Sequence, residues 1–354
     1  MFVYVGTYTA PPAGRAEGIY VYRFDPDTGT LGLVQTVSSI ANPSFLALDP
    51  HQRCLYAVSE GGEGGVSAFA RDPQTGELRP LNRQLSHGAS PCYISLDSSG
   101  RYAVVANYGG GTVAALPVAA DGRLEPAASV VHHEGSSVNP RRQDRPHPHM
   151  IAPSPDGRYV LATDLGTDQI LVYRLDAATG QLAPNEQGPA FAAADPGSGP
   201  RHFAFAPSGR TLYVINELAS TLSVSAYDGE RGELRPRQSV SALPDDFDGE
   251  SWCAHVAVAP DGRFVYGSNR GHDSIAIWAA DDVSGKVTLV GHEPTRGKTP
   301  RNFAIDPTGS WLLAANQDSD TIVTFRRDRD SGKLTATGQV TGVPSPVAIV
   351  FARS

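Results

Sequence analysis

Residues 200–217 read Pro-Arg-His-Phe-Ala-Phe-Ala-Pro-Ser-Gly-Arg-Thr-Leu-Tyr-Val-Ile-Asn-Glu. Two short apolar runs flank a Pro-Ser-Gly turn, the pattern of two strands joined by a tight hairpin. The same frame opens at Pro43 (PSFLALDPHQRCLYAVSE), Pro91 (PCYISLDSSGRYAVVANY), Pro148 (PHMIAPSPDGRYVLATDL), Cys253 (CAHVAVAPDGRFVYGSNR) and Pro300 (PRNFAIDPTGSWLLAANQ), and a shortened copy opens at Pro346 (PVAIVF). Successive copies lie 46 to 57 residues apart. A period of that size holds four short strands, and repetition of such a unit marks a propeller or solenoid. The later two strands of a unit are joined by a recurring glycine turn, as at Asp27-Thr28-Gly29-Thr30-Leu31, Gln74-Thr75-Gly76-Glu77-Leu78, Ala178-Thr179-Gly180-Gln181-Leu182 and Ser331-Gly332-Lys333-Leu334.

The copy at Pro346 stops at Ser354, one strand into its blade. The missing strands stand at the other terminus: residues 2–8 (FVYVGTY) match a second strand, 18–24 (GIYVYRF) a third and 31–37 a fourth. Joining the ends in one blade pairs the last open edges, which would otherwise invite aggregation. The expected fold is therefore all-β: a seven-bladed β-propeller of four-stranded antiparallel blades, its closing blade shared by N- and C-terminal strands. No composition break marks a second domain, so residues 1–354 are read as one.

Composition narrows the partners. The formal net charge of -8 disfavours nucleic acid, which requires a basic face. No apolar run is long enough for a membrane span, and residues 1–8 lack a charged leader. The three cysteines, Cys54, Cys92 and Cys253, are widely spaced within apolar runs and form no CxxC pair, as expected of reduced core thiols. These features predict a cytoplasmic protein, a monomer or weak homo-oligomer, whose partner is a small molecule.

Aligning the copies turns sequence columns into rings around the propeller axis. The innermost strand of a blade forms an antiparallel hairpin with the second, so the start of one and the end of the other share a face. The column after the opening proline reads Ser44, Cys92, His149, Arg201, Ala254, Arg301 and Val347. The column ending the second strand reads Tyr8, Glu60, Tyr108, Leu165, Glu217, Arg270 and Gln317. Polar channel mouths also occur in propellers that only bind or scaffold. What singles out this one is the concentration on consecutive blades of His149, Arg201 with Glu217, and Arg270: a general base, two cations and a carboxylate. These four are the candidate catalytic residues. Arg301, His147, Gln317, Tyr108 and Glu60 are the candidate substrate-binding residues.

Other chemistry-bearing residues are read as structural. His147 and His149 are two apart, but a zinc site needs about two more ligands and no spacing identifies them. His132 and His133, in the long insertion at residues 132–145, are expected in a solvent-exposed loop. His202 and His255 follow the mouth column by one residue, so strand alternation points them between blades. Residues 107–112 (NYGGGT) mimic a phosphate loop but join two strands, with no following helix. No metal and no cofactor are called for.

At these residues the chain resembles the lactonase family of seven-bladed propellers, which includes bacterial propeller-type 6-phosphogluconolactonases and fungal carboxy-muconate lactonizing enzymes. The resemblance spans essentially the whole chain. It is carried by Gly199-Pro200-Arg201-His202, Val214-Ile215-Asn216-Glu217-Leu218, His147-Pro148-His149, Ser268-Asn269-Arg270 and Thr299-Pro300-Arg301-Asn302-Phe303. In the lactonizing branch a histidine, two arginines and a glutamate are proposed for the active site, and by motif they fall on His149, Arg201, Arg270 and Glu217. The resemblance implies an anionic lactone substrate, foremost 6-phosphogluconolactone, with no redox cofactor. Another sugar lactone, a muconolactone or ligand binding without turnover are the alternatives. In a hydrolysis His149 would act as base on water and Arg201 or Arg270 would stabilise the oxyanion. Glu217 would orient an arginine or handle the leaving-group proton, and the remaining arginine with Arg301 would hold phosphate.

Overall fold

Burial sorts the strands of each repeat by radius. The second strands are largely apolar and buried on both faces, as at Tyr102–Asn107 and Trp311–Asn316, apolar up to a terminal asparagine, because a neighbouring blade covers each side. The fourth strands are mostly exposed, as at Leu78–Gln84. In this computed structural model, which describes residues 1–281 and 284–353, these strands form seven antiparallel sheets. Blades 1 to 6 begin near Leu46, Pro91, Pro148, Pro200, Trp252 and Pro300. In blade 7 the C-terminal strand Pro346–Ala352 pairs with Phe2–Thr7, followed outward by Ile19–Phe24 and Leu31–Val37, so the two ends close one sheet.

The apolar core lies between blades. Trp278, the largest fully buried side chain, fills the gap between blades 4 and 5, and a Cβ at Gly267 would sit 2.9 Å from its ring and 3.0 Å from Ile215. The recurring glycine turns have a packing reason as well as a backbone one. Gly76 (φ +79°) lies against the ring of Phe2 on the neighbouring blade, where a Cβ would approach to 2.3 Å. The Tyr4 hydroxyl donates to the Gly76 carbonyl at 2.8 Å. Gly332 repeats the arrangement with Phe264 and Tyr266.

Blade 3 departs from the four-strand pattern. Its outer strand is split: Leu182–Pro184 and Phe191–Ala193 each pair with Gln169–Leu175. Pro184, Gly188 and Pro189 interrupt the ladder, and Asn185 Nδ2 holds the intervening loop through the carbonyl of Pro189 at 3.1 Å.

The innermost strands carry a shared irregularity that builds the mouth. Their register slips between Pro91 and Tyr93, Pro148 and Met150, Pro200 and His202, Cys253 and Val256, and Pro300 and Asn302. The residues left out of the ladder are Cys92, His149, Arg201, Ala254 with His255, and Arg301. A bulge frees one residue from pairing and re-aims its side chain. Strung around the axis, these bulges make the first mouth column of the sequence a real ring.

The same bulges correct the reading of His202 and His255. Alternation breaks at the slip, and both rings turn toward the axis instead of into the gap between blades. Phe45 stacks on Tyr93 at 4.0 Å, Tyr93 meets His202 at 5.1 Å, His202 meets His255 at 5.2 Å, and His255 meets Phe303 at 5.2 Å. Rings from five blades thus close the channel beneath the mouth. His202 and His255 are hydrogen-bonded to each other, Nδ1 to Nδ1, at 2.9 Å.

Candidate active site

Glu217 stands at the end of the second strand of blade 4 and is 4% exposed. Its Oε2 accepts from Arg201 Nε and from Arg270 Nη2, each at 2.8 Å. Its Oε1 pairs with Arg142. One carboxylate therefore serves three guanidinium groups. Burial alone would raise the Glu217 carboxyl, but Arg270, Arg201 and Arg142 hold it well below the usual carboxylate range. Arg201 also donates to the carbonyl of Ala254, and Arg270 Nη2 to that of Cys253 at 3.1 Å. Burial and the like charges of Arg270 and Arg301 push Arg201 down, yet a guanidinium keeps its proton at neutral pH.

His149, 5% exposed, lies on the adjoining blade, its Nδ1 3.6 Å from Cys92 Sγ. Burial, then the charges of Arg201 and Arg301, lower its pKa well below the ordinary imidazole value, so the ring is neutral at physiological pH. The Cys92 thiol is pushed far up by burial and faces the carbonyls of Ala106, Pro148 and His149. It is no thiolate nucleophile.

Across the axis, Arg301 lies 5.4 Å over the ring of Tyr8, whose hydroxyl donates to Glu60 Oε2 at 2.9 Å. Ser44, Glu60, Cys92, His149, Arg201 and Arg301 line one narrow axial cavity. Six of the nine sequence candidates thus meet here directly or through Glu217. Tyr108 joins them, its hydroxyl accepting from Arg142 at 3.4 Å and its ring edge-on to His149 at 5.4 Å. His147 instead backs Tyr108: it stacks on that ring at 4.4 Å, with Nδ1 2.9 Å from the Tyr108 carbonyl. Gln317 begins a short 3-10 turn, and its Oε1 is buried without a hydrogen-bond partner among the described residues.

The insertion holds both a correction and an omission. His133 is not in a solvent-exposed loop. Its Nδ1 lies 2.7 Å from Asp164 Oδ2 and its Nε2 2.9 Å from the Tyr173 hydroxyl, both buried. Asp164 Oδ1 also accepts from the backbone of His147 at 2.8 Å, so one aspartate clips both ends of the insertion to blade 3. His132 is exposed as expected, but it ends the outer strand Ser129–His132 of blade 2 and does not lie in a loop. Arg142 is the residue that column alignment could not find, because the insertion has no counterpart in other blades. The only signal was the Arg141-Arg142 pair in the sole long insertion. Among the described residues, no three His, Cys, Asp or Glu side chains are grouped as a metal ion would need. The turn at residues 107–112 is a rim hairpin, closed by Asn107 Nδ2 donating to Thr112 Oγ1 at 3.0 Å.

Ring and site together define a propeller with a polar axial pocket, a neutral histidine beside a buried cluster of arginines, suited to a small anionic ligand. The family model described as "Lactonase, 7-bladed beta-propeller" matches residues 2–351, and the chain belongs to that family. It is 40% identical to a 6-phosphogluconolactonase of Bacillus subtilis, over 85% of this chain and 83% of that one. A 6-phosphogluconolactonase of Formosa agariphila is 37% identical over 86% of each chain. Among solved structures, the periplasmic gluconolactonase of Pseudomonas aeruginosa superposes with a TM-score of 0.93 and 38% identity, covering 99% of both chains.

Proposed function

We propose that this protein hydrolyses 6-phospho-D-glucono-1,5-lactone to 6-phosphogluconate at the axial mouth. The observation that carries the reading is the Glu217 cluster: a carboxylate neutralising one of three guanidinium charges, beside a histidine kept neutral. Neutral imidazole is the form that accepts a proton. His149 takes one from water as the water oxygen bonds to the lactone carbonyl carbon, and negative charge grows on the carbonyl oxygen. Arg201 and Arg270, fixed by Glu217, stabilise that oxyanion without having to reorganise. When the bond from the carbonyl carbon to the ring oxygen breaks, the imidazolium returns its proton to that oxygen, and the new carboxylic acid ionises in water. Glu217 stays ionised throughout. Its role is to orient the two arginines, and the leaving-group proton belongs to His149. Glu60, Arg301 and Tyr108, with His147 behind it, would bound the space of the sugar ring, and Gln317 holds the matching column position on blade 6.

The likeness to a gluconolactonase supports a second reading, in which the substrate lacks phosphate. A panel of lactones with and without the 6-phosphate separates the two. Purified protein should release acid from 6-phosphogluconolactone faster than spontaneous hydrolysis, equally with and without a chelator. A rate no faster than the spontaneous one, on every lactone tried, would leave a ligand-binding propeller without turnover.

In this reading residues 1–354 act as one propeller domain, in the cytoplasm, as a monomer or weak homo-oligomer. Three buried, unbridged cysteines support the compartment. Among the described residues no helix is long and apolar enough to cross a membrane.

A further inference from the structure

The Glu217 cluster is out of balance. Arg142, Arg201 and Arg270 bring three positive charges to one carboxylate, while on the far side of the cavity Arg301 is offset by Glu60, which leaves a net charge of about +2. Partly buried charge without a counterion is costly, so the excess of guanidinium charge at the mouth favours binding an anion of about two negative charges. The three arginines are not equally placed to take it. The side chains of Arg201 and Arg270 are 2% and 14% exposed; that of Arg142 is 36% exposed. Arg142 spends only Nη2, on Glu217 and Tyr108, and among the described residues its Nε and Nη1 have no partner. One edge of its planar fork is thus anchored at the floor while the other is open at the rim.

The insertion that carries Arg142 is built as a fixed arm. Asn139 Oδ1 accepts from the backbone of Arg141 at 3.1 Å and of Arg142 at 3.2 Å. Gln143 Nε2 donates to the Leu165 carbonyl at 2.9 Å. Ser137 Oγ donates to Asp168 Oδ2 at 2.6 Å, and Asp168 Oδ1 accepts from Gly199, two residues before Arg201, at 2.7 Å. Arm and catalytic strand therefore hang on the same aspartate, which sets the position of Arg142 relative to Arg201. A cationic fork held in advance at a fixed height above the floor is what selects a ligand by its length and terminal charge.

We propose that Arg142 is a specificity-determining residue that binds the terminal phosphate of the substrate, with the lactone carbonyl lying below it at His149 and Arg201. This deepens the proposed 6-phosphogluconolactonase reading and rests on it for the identity of the floor chemistry. In 6-phosphogluconolactone the C1 carbonyl and the C6 phosphate arm flank the ring oxygen, and the exocyclic arm lets the phosphate rise to a cation at the rim while the carbonyl stays at the reactive groups beneath.

The test compares Arg142→Met and Arg142→Lys with the unaltered protein in two assays. Turnover of 6-phosphogluconolactone and of glucono-1,5-lactone gives a ratio of kcat/KM values, which overall loss of activity does not move. The ratio should fall about 10- to 100-fold in Arg142→Met, mainly through KM, with a smaller fall in Arg142→Lys, which keeps charge but loses the fork. Calorimetric binding of 6-phosphogluconate and gluconate needs no turnover, and only the phosphorylated acid should lose affinity in Arg142→Met. Equal losses on both ligands would overturn the proposal and leave Arg142 as a support for Glu217. If no lactone is hydrolysed but 6-phosphogluconate binding still depends on Arg142, the phosphate site stands and the hydrolase reading falls.

Discussion

Arg201 Nε lies 2.8 Å from Glu217 Oε2, with the arginine side chain 2% and the glutamate side chain 5% exposed. Both come from one hairpin of blade 4, the arginine from its bulge and the glutamate from the end of the returning strand. Glu217→Gln removes the carboxylate that Arg142, Arg201 and Arg270 share. Breaking a buried ion pair from one side costs about 3–5 kcal/mol. The variant should melt at lower temperature, and added inorganic phosphate should raise its Tm more than that of the parent. A Tm equal to the parent's would show that the pair is energetically idle.

His149→Ala should lower kcat on the true lactone by about 100-fold or more, the ordinary scale of acid–base catalysis. Circular dichroism should be unchanged, because the His149 ring has no strong hydrogen bond to lose beyond the long contact with Cys92. Retention of the parental rate would remove His149 from the mechanism.

Acid should destabilise the protein earlier than its carboxylates alone would. His149 and His202 are held well below the ordinary histidine value of 6.5, and His255 is pushed down to about 3, all chiefly by burial. Below pH 6.5 the unfolded chain binds protons that the folded one refuses. The stability contributed by the neutral rings is thus complete above pH 6.5 and is lost as pH falls toward the folded pKa values. Each ring contributes a slope of up to about 1.4 kcal/mol per pH unit in that window. Denaturant melts between pH 7 and 5 would measure it, and a flat profile would contradict the buried neutral state. For the same reason the kcat/KM profile should lack an inflection near pH 6.5.

Asp164→Asn should loosen the arm that presents Arg142, since Asp164 binds His133 and the backbone of His147. Trypsin has targets at Arg141 and Arg142, whereas the Arg145-Pro146 bond resists it. Cleavage there should accelerate relative to the rest of the chain, with KM for the phosphorylated lactone rising. Unchanged cleavage would show that the clip does not govern the arm.

Deleting residues 346–354 would strip blade 7 of its innermost strand and leave the ladder of Phe2–Thr7 open at the axis. Size-exclusion chromatography should then find aggregate in place of the parental species. A soluble variant of parental size would mean that the shared blade is not needed for closure.

Blade count, terminal closure and the two mouth columns were legible in the sequence, because each blade repeats one short pattern and repetition converts position in the chain into position around the axis. That logic reached His149, Arg201, Glu217, Arg270 and Arg301. It failed where the chain does not repeat or does not alternate. The bulges that free Arg201 and its equivalents also turn His202 and His255 inward, and a register slip leaves no mark in a strand's composition. The insertion at residues 132–145 has no sister copy to align with, so only tertiary contacts with Asp164 and Asp168 decided that His133 is buried and that Arg142 reaches Glu217. Local pattern settled the ring. Long-range polar contacts, made between residues far apart in the chain, settled which charges share the mouth, and therefore what the ring can bind.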